Sequence, residues 1–230
     1  MDAVVKDLLL SGHNLIDYQH MFDLNDADLN KKIITCASGF DTFNVEMTAK
    51  GKSVISCARN YSLNVEQMKA LVEKNIARMG DHLDEHQEQY LLDPSASLES
   101  IKASLSKASQ EFLGDYSKGL AEKRYLAQVL PSLDFPDGSF DLALCSHYLF
   151  AQHDLTVEQH VAFIKEMCRV AKETRIFPLS DAYGEISPLL GPVMLQLQMQ
   201  HYGVEVKQVA YEFQRGSNAM LRIWPTTCHV

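Results

Sequence analysis

The sequence predicts an α/β fold with a doubly wound, mostly parallel sheet that ends in an antiparallel hairpin. β-branched runs of strand length, such as KIITC, SVISCA and FDLALCSH, alternate with amphipathic stretches through most of the chain. Alternation of this kind builds parallel strands, helices on both faces and right-handed crossovers. The last two runs, VEVKQVAYEF and AMLRIWP, are joined by the turn QRGSN and not by a helix. That is a hairpin pattern, and it places an antiparallel strand at one edge of the sheet. At 230 residues, 46% hydrophobic and 22% charged, the chain can bury a large core without disulfides or metal. The organisation expected is one domain over 1–230, with a helical cap over 1–30 and a helical insertion over 81–123 before the third strand.

Each element has a local reason. A short helix is expected over Asp2–Leu10, then a mixed aromatic and acidic stretch, YQHMFDLNDADLNKK. The first strand is Lys32–Cys36. A helix over Asp41–Lys50 is closed by Gly51, and SVISCA is the second strand. Asn64 with Gln67 three residues on forms a capping box, and Val65, Met68, Val72, Ile76 and Met79 repeat at helical spacing up to a stop at Gly80. Residues 81–96 are polar and read as a mobile insertion. Ser97 caps a helix with Leu98, Ile101, Leu105, Ala108 and Phe112 on one face and Gly114 at its end. RYLAQVL fits a short strand or a helix end. FPDGSF is a turn, and FDLALCSH is a clear strand. Thr156 and Gln159 make a second capping box, above a buried row of Val157, Val161, Ile164, Cys168 and Ala171. TRIFPLS is a strand, a helix follows around Pro188–Tyr202, and the hairpin closes the chain.

The net charge of −9 argues against non-specific binding to nucleic acid or anionic membrane, and no Lys/Arg cluster offsets it. The five cysteines, Cys36, Cys57, Cys145, Cys168 and Cys228, form no C-x-x-C pair and are odd in number. Reduced thiols and a cytoplasmic location are expected. The N-terminal residues lack the basic leader and small-residue site of a signal peptide. No apolar run approaches the roughly 20 residues of a membrane helix.

IITCASGFDTF is where a strand feeds a loop that could hold a cofactor, but it carries Gly39 alone instead of a G-x-G-x-x-G set. Together with MFDLNDADLNKKII, FPDGSFDLALCSHYLF, EMCRVAKETRIFPL and YEFQRGSNAMLRI, it makes the chain resemble the class I S-adenosylmethionine-dependent methyltransferases over nearly its whole length. The resemblance implies a Rossmann-like, seven-stranded sheet with S-adenosylmethionine as cofactor. It also implies methyl transfer to a small-molecule or protein acceptor. In that family the loop after the first strand, here Ala37, Ser38, Gly39 and Asp41, passes under the cofactor. The end of the second strand, here Ala58, Arg59 and Asn60, meets the ribose. The segment after the third strand, here 130–134 with Leu130 and Ser132, borders the adenine. The end of the fourth strand, from Cys145, faces the methyl group.

Three positions depart from the family pattern. Thr35 stands where the first strand usually ends in an acid, Ala37 and Ser38 replace loop glycines, and Ala58 replaces the ribose carboxylate. Such a carboxylate makes charge-assisted hydrogen bonds, so its loss weakens binding about tenfold to a few hundredfold. Asn60 can return one ribose hydrogen bond, and Arg59 offers a contact to an anionic ligand instead. A protein that has lost the cofactor and serves as a binding or regulatory module is the competing reading.

Each candidate residue also has a structural alternative. Asp41 is a helix N-cap or a charge near the sulfonium. His147 is a general base or a hydrogen-bonded strand-end histidine, with Tyr148 beside it. Tyr18 and Phe22, with Phe150, are lid or substrate contacts, or else Tyr18 and Phe22 belong to a helix packed on the sheet. Cys36, Cys57 and Cys145 converge at strand ends, but their separations follow no zinc pattern and buried cysteine acts as a small hydrophobe. His82 and His86 are four apart without the H-E-x-x-H signature. No metal is expected.

Overall fold

The structure is a computed structural model that describes residues 12–37, 39–91, 98–151, 154–181 and 184–226. Its elements are α1 (Leu15–Phe22), β1 (Ile33–Cys36), α2 (Phe43–Ala49), β2 (Val54–Cys57), α3 (Val65–Glu85), α4 (Leu98–Ala121), β3 (Tyr125–Leu126), β4 (Phe140–Ser146), α5 (Val157–Val170), β5 (Ala171–Phe177), α6 (Leu190–Met199), β6 (Tyr202–Gln208) and β7 (Ala219–Pro225). The expected helix over Asp2–Leu10 and the cap at Ser97 lie outside the described residues.

Seven strands form one sheet in the order β3-β2-β1-β4-β5-β7-β6. β1 to β5 pair in parallel, and β7 runs antiparallel to both of its neighbours. The α/β, Rossmann-like reading is correct, with one change. The antiparallel strand lies inside the sheet between β5 and β6, and not at its edge. The order reverses at β1 and β4, and open α/β sheets bind ligands in the crevice at such a reversal.

Helices cover both faces. One face packs Ile34, Ala143, Ile176 and Leu221 under α5 and α6 through Val161, Ile164, Val193 and Leu197. The other packs Ile33, Leu142 and Leu144 under α1 and α2 through Tyr18, Met21, Phe43 and Met47. A third cluster joins Met68 and Val72 of α3 with Phe112 and Tyr116 of α4 over Tyr125 at the β3 edge. There Gly119 lies so near β3 that a Cβ would sit 2.2 Å from the Tyr125 ring.

Both capping boxes form as expected, at Asn64 and at Thr156. A third, Asn14 with Asp17, starts α1. Gly51, with a φ of 71°, closes α2 just past Ala49 as expected, but the stops at Gly80 and Gly114 do not hold. α3 runs through Gly80 to Glu85 because Leu83 continues the buried row of Met79, and α4 runs through Gly114 because Tyr116 continues that of Phe112. A glycine inside a helix costs about 1 kcal/mol, which continued burial outweighs. The polar stretch after α3 is tied down as far as it is described. Leu91 N–H bonds the Phe213 carbonyl at 2.7 Å and Arg215 N–H bonds that of Gln89 at 2.8 Å, which fixes it to the β6–β7 turn.

Arg175 of β5 is buried, and it fastens the N-terminal segment to the sheet. Its guanidinium donates to the Phe22 carbonyl at 2.7 Å, to Asp28 at 3.2 Å and to Glu173 at 2.6 Å. Arg222 of β7 shares Glu173 at 2.8 Å.

Candidate functional site

The parallel registers bring the ends of β1, β2 and β4 to one level. Cys36 stands opposite Cys57 on one side and Cys145 on the other. All three thiols are buried in the core beside Leu130. Burial pushes Cys57 and Cys145 up to about 12, and it raises Cys36 as well. The Cys145 side chain lies in the core as a small hydrophobe. Among the described residues no group of three or more His, Cys, Asp or Glu is arranged to hold a metal ion.

The loop leaves β1 at Ala37, which adopts a left-handed φ of 56°. Ala37 N–H bonds the Cys57 carbonyl at 2.8 Å. The Tyr61 hydroxyl donates to the Gly39 carbonyl at 3.2 Å, so the loop rests on the turn after β2. Phe40 fills the space below, buried with Ala58, Tyr61 and Phe112. Ser38 lies outside the described residues. Ala58 is buried, Asn60 is half-buried and Arg59 is exposed.

Asp41 neither caps α2 nor faces outward. It is buried, and it accepts hydrogen bonds from Gly12 N–H (2.9 Å), His13 N–H (2.9 Å), the Tyr18 hydroxyl (2.8 Å) and His13 Nδ1 (3.3 Å). Glu46 accepts from Leu15 N–H at 3.1 Å and from the Thr42 hydroxyl at 2.6 Å. Residues 12–18 therefore form a strap sewn across the start of α2.

The strap carries His13 onto His147. The two rings stack with centroids 4.6 Å apart and planes 4° from parallel. Tyr211 and Phe177 close the group edge-on, at 5.9 Å from His13 and 5.4 Å from His147. His147 lies just past β4 with a left-handed φ of 49°. Its N–H bonds the Phe177 carbonyl at 2.7 Å, and its Nδ1 is 2.8 Å from Ser146 Oγ.

The two histidines shift in opposite directions. Burial lowers His147 well below 6.5, and the neighbouring His13 lowers it further. Burial also opposes charge on His13, but the hydrogen bond and charge of Asp41 outweigh it and raise the group above 6.5. Burial pushes Asp41 up, yet the bonds from His13 and Tyr18 win and leave it below 3.8. His147 is thus neutral at pH 7. In the tautomer whose Nδ1–H donates to Ser146 Oγ, the Nε2 lone pair is the one left to accept a proton.

Other expected site residues lie elsewhere. Tyr148 is half-buried with its ring stacked 6.4 Å from Phe163 of α5. Phe150 is buried and packs at 5.2 Å on His160. Phe22 is fully buried between Tyr18 and Phe177. Tyr18 is buried too, stacked 4.2 Å from Phe43, and belongs to a helix packed on the sheet. Thr35 points to Ser56, 2.8 Å away, in a buried polar link with Asn44. Leu130 is buried, and Ser132 is exposed. His82 and His86 meet at 4.6 Å on α3. A cavity of about 220 Å³ lies between α3 and α4, lined by Met79, Leu105 and Ser109 among others, outside this group.

The sequence reading missed His13, Ser146 and Tyr211. The N-x-x-D pattern of Asn14 and Asp17 was the available sign that a helix starts there and that His13 precedes it.

Residues 83–177 match the family model of the methyltransferase domain. That stretch is similar to the family that the resemblance read from the sequence names. The match spans α4, β3, β4, α5 and β5 and leaves out the loop after β1 and the end of β2, where the sequence departs from the family pattern. The uncharacterized protein MJ0045 of Methanocaldococcus jannaschii is 29% identical over 221 residues, covering 95% of this chain and 97% of that protein. A SAM dependent methyltransferase from Aquifex aeolicus is 13% identical, with 90% of this chain and 91% of that one covered and a TM-score of 0.42. The 1,6-didemethyltoxoflavin-N1-methyltransferase of Burkholderia thailandensis, solved with S-adenosylhomocysteine, is 11% identical, with 86% and 72% covered and a TM-score of 0.42. No described helix is long and apolar enough to cross a membrane.

Proposed function

We propose that this methyltransferase-like chain is an S-adenosylmethionine-dependent methyltransferase that acts on a small molecule or a protein. The observation that carries the reading is His147, just past the end of β4 and at the same end of the parallel strands as the loop that follows β1. The backbone of Ala37 and Gly39, the half-buried Asn60 and the 130–132 segment are the groups that would hold the cofactor, which supplies an activated methyl on a sulfonium sulfur. The set falls short at the ribose, where Ala58 offers no acceptor. His147 Nε2 takes the proton of the acceptor's nucleophile in the tautomer whose Nδ1–H donates to Ser146 Oγ. Alignment supplies the remainder, because methyl transfer needs the nucleophile in line more than it needs further groups. The acidic chain favours small-molecule or protein acceptors over nucleic acid, and its free thiols suit the cytoplasm.

A second reading, a non-catalytic binding module, is favoured by Asp41. Its carboxylate is occupied by four hydrogen bonds from the strap and is not available to a cationic cofactor.

Calorimetric titration with S-adenosylmethionine and S-adenosylhomocysteine separates the two. Micromolar binding is expected, and Ala58→Asp should tighten it about tenfold or more by restoring the ribose acceptor. Absence of binding by both proteins would sink the methyltransferase reading. Binding by the variant alone would identify a protein disarmed at the ribose contact.

A further inference from the structure

We propose that this chain forms a twofold dimer through the free edge of its sheet, with β6 pairing to β6 of a second copy and α6 packing on α6. β6 is the terminal strand, so the outer row of its backbone groups meets no strand among the described residues. Exposed edges of this length invite pairing unless something guards them. Here the neighbouring surface is apolar. On α6, Leu195 is 58% exposed and Met199 73%, one turn apart on one side of the helix. Val204 of β6 packs into the core cluster that holds α6, so Val206, two residues on and 46% exposed, extends the same face from helix to strand.

Charge selects a second copy as the occupant. The chain carries a net charge of −9, so two copies repel wherever their acidic surfaces meet. Residues 186–204 contain no Asp, Glu, Lys or Arg, and this face escapes that repulsion. The first charges that follow it in the chain are Glu205 and Lys207, two apart on the opposite face of the sheet. A twofold axis through Val206, perpendicular to the sheet, sets Val206 against itself. It also sets Glu205 against Lys207 of the second copy, and Lys207 against Glu205 of the second copy. One symmetry operation thus makes two opposite-charge cross-strand pairs. The same axis keeps both α6 helices on one side of the joined sheet, antiparallel and side by side. Within one copy Glu205 meets Arg222 at 3.3 Å and Lys207 meets Asp23 at 2.5 Å, both in exposed pairs that can share a partner.

Sedimentation equilibrium of the full chain, from low to high micromolar, reads the outcome. A species of twice 25.9 kDa is expected. Leu195→Glu and Met199→Glu should each return it to the monomer, with circular dichroism confirming that these exposed sites leave the fold intact. Glu205→Lys or Lys207→Glu alone should raise the dissociation constant about fivefold to tenfold, and the two together should restore it, because the swap rebuilds both pairs. A monomer throughout the range overturns the proposal. So does a dimer indifferent to the charge swap, which would be joined elsewhere.

Discussion

Asp41 takes four hydrogen bonds from a segment 23 to 29 residues earlier in the chain. Removing the carboxylate strands buried donors, so Asp41→Ala should cost about 3 kcal/mol in chemical denaturation. The histidine stack gives this corner a pH optimum. His13 has its folded pKa raised above 6.5, so its contribution is full below 6.5 and is lost as pH rises through the folded value. His147 has its folded pKa lowered, so its contribution is full above 6.5 and is lost as pH falls toward the folded value. The pair is therefore most stabilising near 6.5. Thermal scans across pH should show His13→Gln flattening the alkaline limb and His147→Gln flattening the acid limb. If either limb is unchanged, the assignment of that histidine is wrong. In the sequence Asp41 and His147 could be singled out by position after a strand. Their partners could not, because Gly12, His13 and Tyr18 meet them only through long-range folding, and nothing local marks a histidine that will stack on another.

Among the elements, the strands and the N-terminal ends of helices were readable, because capping boxes and β-branched runs are local physics. Asn64 and Thr156 cap where their spacing says they should. The C-terminal ends of α3 and α4 were not readable from Gly80 and Gly114, because what extends them is burial of Leu83 and Tyr116 against partners distant in sequence. Gly119 makes the complementary point, since its reason is tertiary. A methyl group there meets the Tyr125 ring at 2.2 Å, and that ring is held by Tyr61, Phe112 and Tyr116 and cannot swing away. Gly119→Ala should destabilise by about 2 kcal/mol in spite of alanine's higher helix propensity, whereas Gly114→Ala, with open space around it, should stabilise by a few tenths or more. Urea titration of the two variants checks both signs.

For the whole molecule, the order of alternating strands and helices implied the parallel sheet, but the place of the antiparallel strand came only from its pairing. β7 enters between β5 and β6, and with it Arg222 reaches Glu173 and joins the Arg175 network. That network ties the N-terminal segment to the far half of the sheet. Arg175→Leu leaves Asp28 buried beside Lys31 alone and should cost about 3–5 kcal/mol. Burial opposes charge on Asp28 and Glu173, but bonds from Lys31 and Arg175 to the first, and from Arg222 and Arg175 to the second, lower both. Their contribution is present above their ordinary values of 3.8 and 4.5 and is lost as pH falls through the folded values. Acid unfolding monitored by fluorescence should begin at higher pH in Arg175→Leu.

The row of cysteines across β2, β1 and β4 makes the molecule its own clock. Cys36 has a neighbouring thiol-bearing strand on each side and no exposure, and its pKa is high. A soluble disulfide reagent can react there only after β1 parts from its neighbours. In excess reagent the rate of colour release at Cys36 then stops depending on reagent concentration and equals the rate at which the centre of the sheet opens. A ligand seated on the strand ends would slow that release without touching a sulfur, so bound molecules could be recognised by timing alone.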